Sequence, residues 1–201
     1  DLYDGYRDAF ESDETFDVGG VLLPRPFKVE RIGPVRIFYD DLAKELSFYR
    51  DTLGLTVTEE INWRGHHCVF LRANTEHHSM SLYPRALRAE LGLSAHTTLM
   101  AFGLQLGNYQ QLRDAIAFLK KNGVTIKTLP ADLFPGMGHS ALAIDPDGHA
   151  MQLYCYMEQI GWDGRPRPAD KRAPIDNDHW PDILDAESDI YNGEVFLGPI
   201  G

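Results

Sequence analysis

The chain has 201 residues, 43 % of them apolar and 24 % charged, with a formal net charge of −11. That composition supports a packed core and does not read as disordered. The acidic balance argues against nucleic acid or an anionic membrane as partner, and no apolar run approaches the roughly 18 residues of a membrane-spanning helix.

Two cysteines, Cys68 and Cys155, lie far apart inside apolar runs. They form neither a disulfide scaffold nor a zinc spacing, so a reducing, cytoplasmic home is expected. The opening residues do not read as a secretory signal. The first residue is Asp1 rather than Met, which leaves open a piece of something longer.

Residues 1–30 are acidic and then Pro-rich and read as an arm or linker, with Tyr3, Tyr6 and Phe10 available to dock on the body. The body begins near Arg31. "VRIFY" (Val35 to Tyr39) predicts a strand. "DDLAKELSFYRDTLG" predicts a helix with Asp41 as N-cap, Leu42, Leu46, Tyr49 and Leu53 on one face, and Gly54 as its stop. Strand-like runs follow at "LTVTEEI", "HHCVFLRA" and "HSMSLYP".

The same order then repeats. "TTLMAFGLQL" is a strand, and "NYQQLRDAIAFLKKNG" a helix with Leu112, Ala115, Ile116 and Leu119 on one face and Gly123 as its stop. "VTIKTLP", "HSALAID" and "AMQLYCYM" are three more strands. The order is βαβββ, twice, over residues 31–90 and 96–157, which predicts an α+β domain of paired modules. Residues 158–201 form an extension in which "WPDILDAESDIY" reads as a short helix. Trp180, Ile183, Leu184, Tyr191, Phe196 and Leu197 make it too apolar for a free linker.

Paired βαβββ modules carrying "FYRDTLGL" and "DPDGHAMQLY" resemble the vicinal oxygen chelate superfamily, which includes glyoxalase I, bleomycin-resistance proteins and type I extradiol ring-cleaving dioxygenases. The resemblance covers roughly residues 31–157 and implies two curved half-sheets around a cavity. "VFLRANTEHHSMSLYP" looks most like the catechol-cleaving dioxygenases, whose Phe, Asn and His-His pair match Phe70, Asn74, His77 and His78. The resemblance implies that His78 is a substrate-facing acid/base group and that Phe70 and Ser81 line an aromatic pocket.

It also implies a ferrous or manganous ion held by two His and one carboxylate, leaving open positions for substrate and dioxygen. The matching positions here are Pro34, then Thr98 or Leu99 (with His96 nearby), and Gln152. No metal is therefore expected at the usual positions; Fe(II) or Mn(II) would be the family's metal if one is bound.

The alternation of a regular strand sides His77 with Ser79, Ser81 and Tyr83, and His78 with Met80 and Leu82, whereas the resemblance turns His78 inward. His77, His139 and Gln152 are further candidate substrate contacts, His139 because it follows the Gly-rich "LFPGMG". His66, His67 and His149 read as edge or turn residues. Three functions are expected in competition: a metal-independent, dioxygenase-like enzyme on a small aromatic or oxygenated ring, a metal-free binding protein, and the non-catalytic module of a larger dioxygenase. The superfamily habit and the apolar tail also imply a homodimer.

Overall fold

A computed structural model describes residues 14–191. Tyr3, Tyr6, Phe10, Phe196 and Leu197 lie outside them. The segment read as an arm contains a small hairpin, β1 (Phe16–Val18) and β2 (Val21–Leu23). Its two-residue loop is Gly19-Gly20, both at positive φ, with Asp17 Oδ1 accepting from Gly20 N–H at 2.7 Å. Three-residue strands are too short for alternation to announce.

β3 (Val29–Tyr39) opens the first module and starts earlier than the sequence suggests. α1 (Leu42–Leu46) is capped by Asp41, whose side chain accepts from Lys44 N–H. The chain then widens into a π-helical turn at Ser47–Thr52 before Gly54 ends it at φ +81°. That wider turn corrects the expected helix face. The 3.6-residue phase is lost, Leu53 turns outward at 57 % exposed, and Leu55 packs beneath α1 instead. β4 (Thr56–Trp63), β5 (His66–Arg72) and β6 (Met80–Pro84) complete the module, followed by a one-turn helix, α2 (Leu87–Glu90).

The second module runs β7 (Leu99–Leu106), α3 (Tyr109–Lys121), β8 (Thr125–Lys127), β9 (Ser140–Ile144) and β10 (Ala150–Tyr154). Asn108 caps α3 by accepting from Gln111 N–H at 2.9 Å. Leu112 and Ala115 are buried, with Ile116 and Leu119 beside them.

All eight strands of the modules form one sheet, ordered β4-β5-β6-β3-β7-β10-β9-β8. Within each module the first and last strands pair parallel, and β3 meets β7 antiparallel at the centre. One face carries α1 over Val69, Leu71 and Leu82, and α3 over Leu106, Ala143 and Leu153. The other face is the inside. Phe38, Cys68, Phe70, Tyr83, Met100 and Tyr154 gather there, and the connection before β9 fills the space between the half-sheets with Leu133, Phe134 and Met137.

The helix expected in the tail is absent among the described residues; only a single 3₁₀ turn forms, at Ala169–Lys171. The carbonyls a helix would use internally are taken by side chains outside the segment. Pro181 O accepts from Tyr109 Oη and Arg113, and Ser188 O accepts from Tyr156 Oη and Arg167. Trp180 packs on the α3 side and Ile190 is buried, whereas Ile183 is 84 % exposed.

Candidate functional site

The opposition between His77 and His78 dissolves because the strand is irregular where it begins. The β6 ladder starts at Met80. Before it, His77 N–H donates to Glu158 O and Ser79 N–H to Leu71 O, both at 2.8 Å. Both imidazoles are fully buried, and both meet the Phe70 ring edge-on, with centroids at 5.9 and 5.1 Å. Gly136 presses on His77 from above: a Cβ there would lie 2.2 Å from the imidazole Cγ.

The two rings belong to one hydrogen-bonded chain. His78 Nε2 lies 3.2 Å from Arg36 Nη2, His78 Nδ1 lies 3.0 Å from His77 Nδ1, and His77 Nε2 lies 2.8 Å from Glu59 Oε2. Glu59 is clamped from outside by Arg172 at 2.6 and 3.1 Å. Donor–acceptor logic orders the protons. Arginine only donates, so His78 Nε2 accepts. A neutral His78 then carries its proton on Nδ1 and donates to His77, which donates from Nε2 to Glu59.

The electrostatics agree with that order. Burial, then the Arg36 charge, then His77 hold the His78 pKa well below its ordinary 6.5, so the ring is neutral. Burial pushes Glu59 upward, but the hydrogen bonds from His77 and Arg172 outweigh it and keep the carboxylate ionised. Arg36 is fully buried on the inner face between these groups. Its Nη2 also meets Met137 Sδ at 2.7 Å, its Nε and Nη1 have no hydrogen-bond partner, and the Phe134 ring covers it at 5.2 Å.

Ser81 and Gln152 are buried on the same inner face. Ser81 is the register partner of Arg36 across β3 and β6, and its Oγ has no partner. Gln152 Nε2 donates to Ser140 Oγ at 2.8 Å while its Oε1 has none. Phe70, His77 and His78 thus touch one another, with Ser81 and Gln152 on the wall they face. His139 stands apart. It packs between the rings of Tyr109 and Trp180, at 5.2 and 5.0 Å, and burial lowers its pKa. It lines an open cleft of about 910 Å³ between the body and the tail.

The residues present do not fit the metal that the resemblance implies. Pro34 has no side-chain donor and Gln152 offers a neutral amide. His78 Nε2 is taken by a guanidinium whose positive charge opposes a dication. Among the described residues, no group of three His, Cys, Asp or Glu side chains converges.

Arg36, Arg172 and Met137 were not candidates from sequence, and Glu59 was one only as a carboxylate available, with Glu60 and Glu76, to an alternative metal site. Arg36 had a signal: in "PVRIFY" the alternation puts it on the buried face beside Phe38. Glu59 and Arg172 are 113 residues apart, a pairing that no local pattern encodes.

Residues 31–153 match the family model described as Glyoxalase/Bleomycin resistance protein/Dioxygenase superfamily. The chain is 26 % identical over 122 residues to a 2,2',3-trihydroxybiphenyl dioxygenase of Sphingomonas paucimobilis, covering 61 % of this chain and 40 % of that protein. Among solved structures it resembles 2,2',3-trihydroxybiphenyl 1,2-dioxygenase from Sphingomonas wittichii, with a TM-score of 0.53 and 25 % identity over 65 % of this chain and 43 % of that one. It also resembles homoprotocatechuate 2,3-dioxygenase from Arthrobacter globiformis, with a TM-score of 0.56 and 25 % identity over 69 % and 40 %. The chain therefore spans well under half the length of these relatives.

Proposed function

The chain belongs to the glyoxalase/bleomycin resistance protein/dioxygenase superfamily, and from that premise we propose that it handles a small aromatic or otherwise oxygenated ring by metal-independent proton transfer at His78. The observation that carries this reading is the hydrogen-bonded chain from Arg36 through His78 and His77 to Glu59. The His78 Nε2 lone pair points inward and accepts from Arg36 Nη2; once the guanidinium turns to a ligand's oxygen, that lone pair is open to take a proton. A ring hydroxyl brought to His78 Nε2 gives up its proton there and leaves an oxyanion beside the Arg36 charge. His77 and Glu59 hold the imidazole in the required tautomer, and Glu59 faces a second cleft of about 550 Å³ that opens to solvent. Such a site suits isomerase or lyase chemistry.

A second reading, a metal-free binding protein, is favoured by the filling of the inner face by Leu133, Phe134 and Met137 while the cleft beside His139 stays open. Residence in the cytoplasm and homodimerisation are part of the proposal; a monomer by light scattering would remove the latter.

The test is binding of a catechol panel to the wild type, His78→Ala and His77→Ala, followed through ¹⁵N-labelled imidazole signals. Expected are a neutral, Nδ1-protonated His78 whose signals move on binding, and weaker binding in both variants. Undiminished binding in both, or stoichiometric iron or manganese in the purified protein, overturns the proposal.

A further inference from the structure

The chemistry above accounts for His78 and leaves Arg36 with more capacity than it uses. Its Nη2 reaches only uncharged groups, the His78 imidazole and the Met137 sulfur. Its three remaining N–H donors, on Nε and Nη1, make no hydrogen bond of good geometry; the nearest polar neighbour, the uncharged Tyr83 hydroxyl, donates to Leu133 O. Among the described residues no carboxylate pairs with it: Glu59 is held by Arg172 and His77, and Glu76 by Arg31. A guanidinium keeps its charge at any pH the protein meets, and a buried charge with no counter-charge is costly. An anion brought against such a charge would offset that cost.

We propose that Arg36 is an anion-binding centre, and that the site takes a small aromatic ring carrying one negatively charged oxygen group, a carboxylate or a phenolate, against Arg36 Nε and Nη1. The inference rests on the ring-handling reading and adds the charge of the ligand to it. Two unpartnered oxygens, Ser81 Oγ and Gln152 Oε1, face the same interior and can serve the ligand's remaining polar groups. Access runs past Met137. Its sulfur covers Arg36, and the same residue lines both clefts. Methionine is unbranched and flexible, so a rotamer change uncovers the guanidinium without moving the sheet.

Calorimetric titration with benzoate, benzamide and 4-nitrophenol (the last above and below its ionisation) separates the possibilities. Wild type, Arg36→Met, Arg36→Lys and Met137→Ala are compared, with circular dichroism to confirm folding. The wild type is expected to bind benzoate at least tenfold more tightly than benzamide. That preference falls below twofold in Arg36→Met and survives in part in Arg36→Lys, which serves if the Met variant does not fold. Met137→Ala keeps the preference and binds faster. Stronger binding of nitrophenolate than benzoate assigns a phenolate, and the reverse assigns a carboxylate. Equal binding of acid and amide by the wild type, or a preference that persists in Arg36→Met, overturns the inference and leaves the ring site standing. If no ring binds, both fall.

Discussion

The two modules close on nearly the same tetrapeptide, Met80-Ser81-Leu82-Tyr83 in β6 and Met151-Gln152-Leu153-Tyr154 in β10, and pair it in the same parallel register. In the first module the partner of Ser81 is Arg36; in the second the partner of Gln152 is Gly103. One half of the interior thus holds a cation, a hydroxyl and the two imidazoles. The other holds bare backbone and an amide, flanked by Ala101 and Ala150. The asymmetry has a packing cause. The Gly33 carbonyl folds across β7, and a Cβ on Gly103 would lie 2.1 Å from its oxygen. The second module keeps its first strand slim so that the first module's strand can bend over it. Polar chemistry is left to the side that has space.

That account breaks most visibly at Gly103. Gly103→Ala forces a methyl into backbone, which cannot swing aside as a side chain would. A loss of about 2–3 kcal/mol is expected in urea unfolding. A neutral Gly103→Ala would mean that the crossing of β3 over β7 is loose and the asymmetry has another origin.

The tyrosines that end the two tetrapeptides sharpen the comparison next. Each crosses to the opposite module: Tyr83 Oη donates to Leu133 O at 3.0 Å, and Tyr154 Oη to Gly33 O at 2.8 Å. Tyr154 Oη also accepts from Arg31 at 3.1 Å. Removing either hydroxyl takes the partner from a carbonyl, and removing that of Tyr154 also strips a partner from an arginine. Tyr154→Phe is expected to cost about 2 kcal/mol and Tyr83→Phe about 1 kcal/mol in the same unfolding assay. Equal losses would show that the two cross-module bonds are interchangeable.

Much of this frame was legible in the sequence. Asp41 caps its helix as its side chain suggests, and the Gly54 and Gly123 stops mark out the module repeat. What escaped was the material that depends on contacts distant in sequence. The π-helical turn that rotates Leu53 outward obeys no 3.6-residue pattern. The irregular start of β6 comes from His77 N–H bonding to Glu158, 81 residues on, so alternation could not decide between the two histidines. Within the site, Phe70, His77, His78, Ser81 and Gln152 were named from a resemblance. The groups that set their electrostatics, Arg36, Glu59 and Arg172, come from a strand parity left unread and from a tail with no periodicity of its own.

The dependence of stability on pH contrasts the modules as well. His78 is held well below its ordinary 6.5 by burial, Arg36 and His77; His139, at the cleft rim of the second module, is lowered by burial. Both pKa values fall on folding, so both contributions are fully present above 6.5. Below it the unfolded chain takes up protons that the folded chain refuses, and stability declines as the pH drops. Glu59, whose pKa is also depressed, adds a second loss below its ordinary 4.5, as its carboxylate is forced to protonate. A melting series should therefore be flat above pH 6.5, slope downward below it, and steepen below 4.5. His78→Gln should remove most of the first slope and His139→Gln a smaller part, because His78 adds the Arg36 charge to its burial. If His139→Gln flattened the profile more, the polar half of the interior would not be the one under electrostatic tension, and the contrast between Arg36 and Gly103 would be one of packing alone.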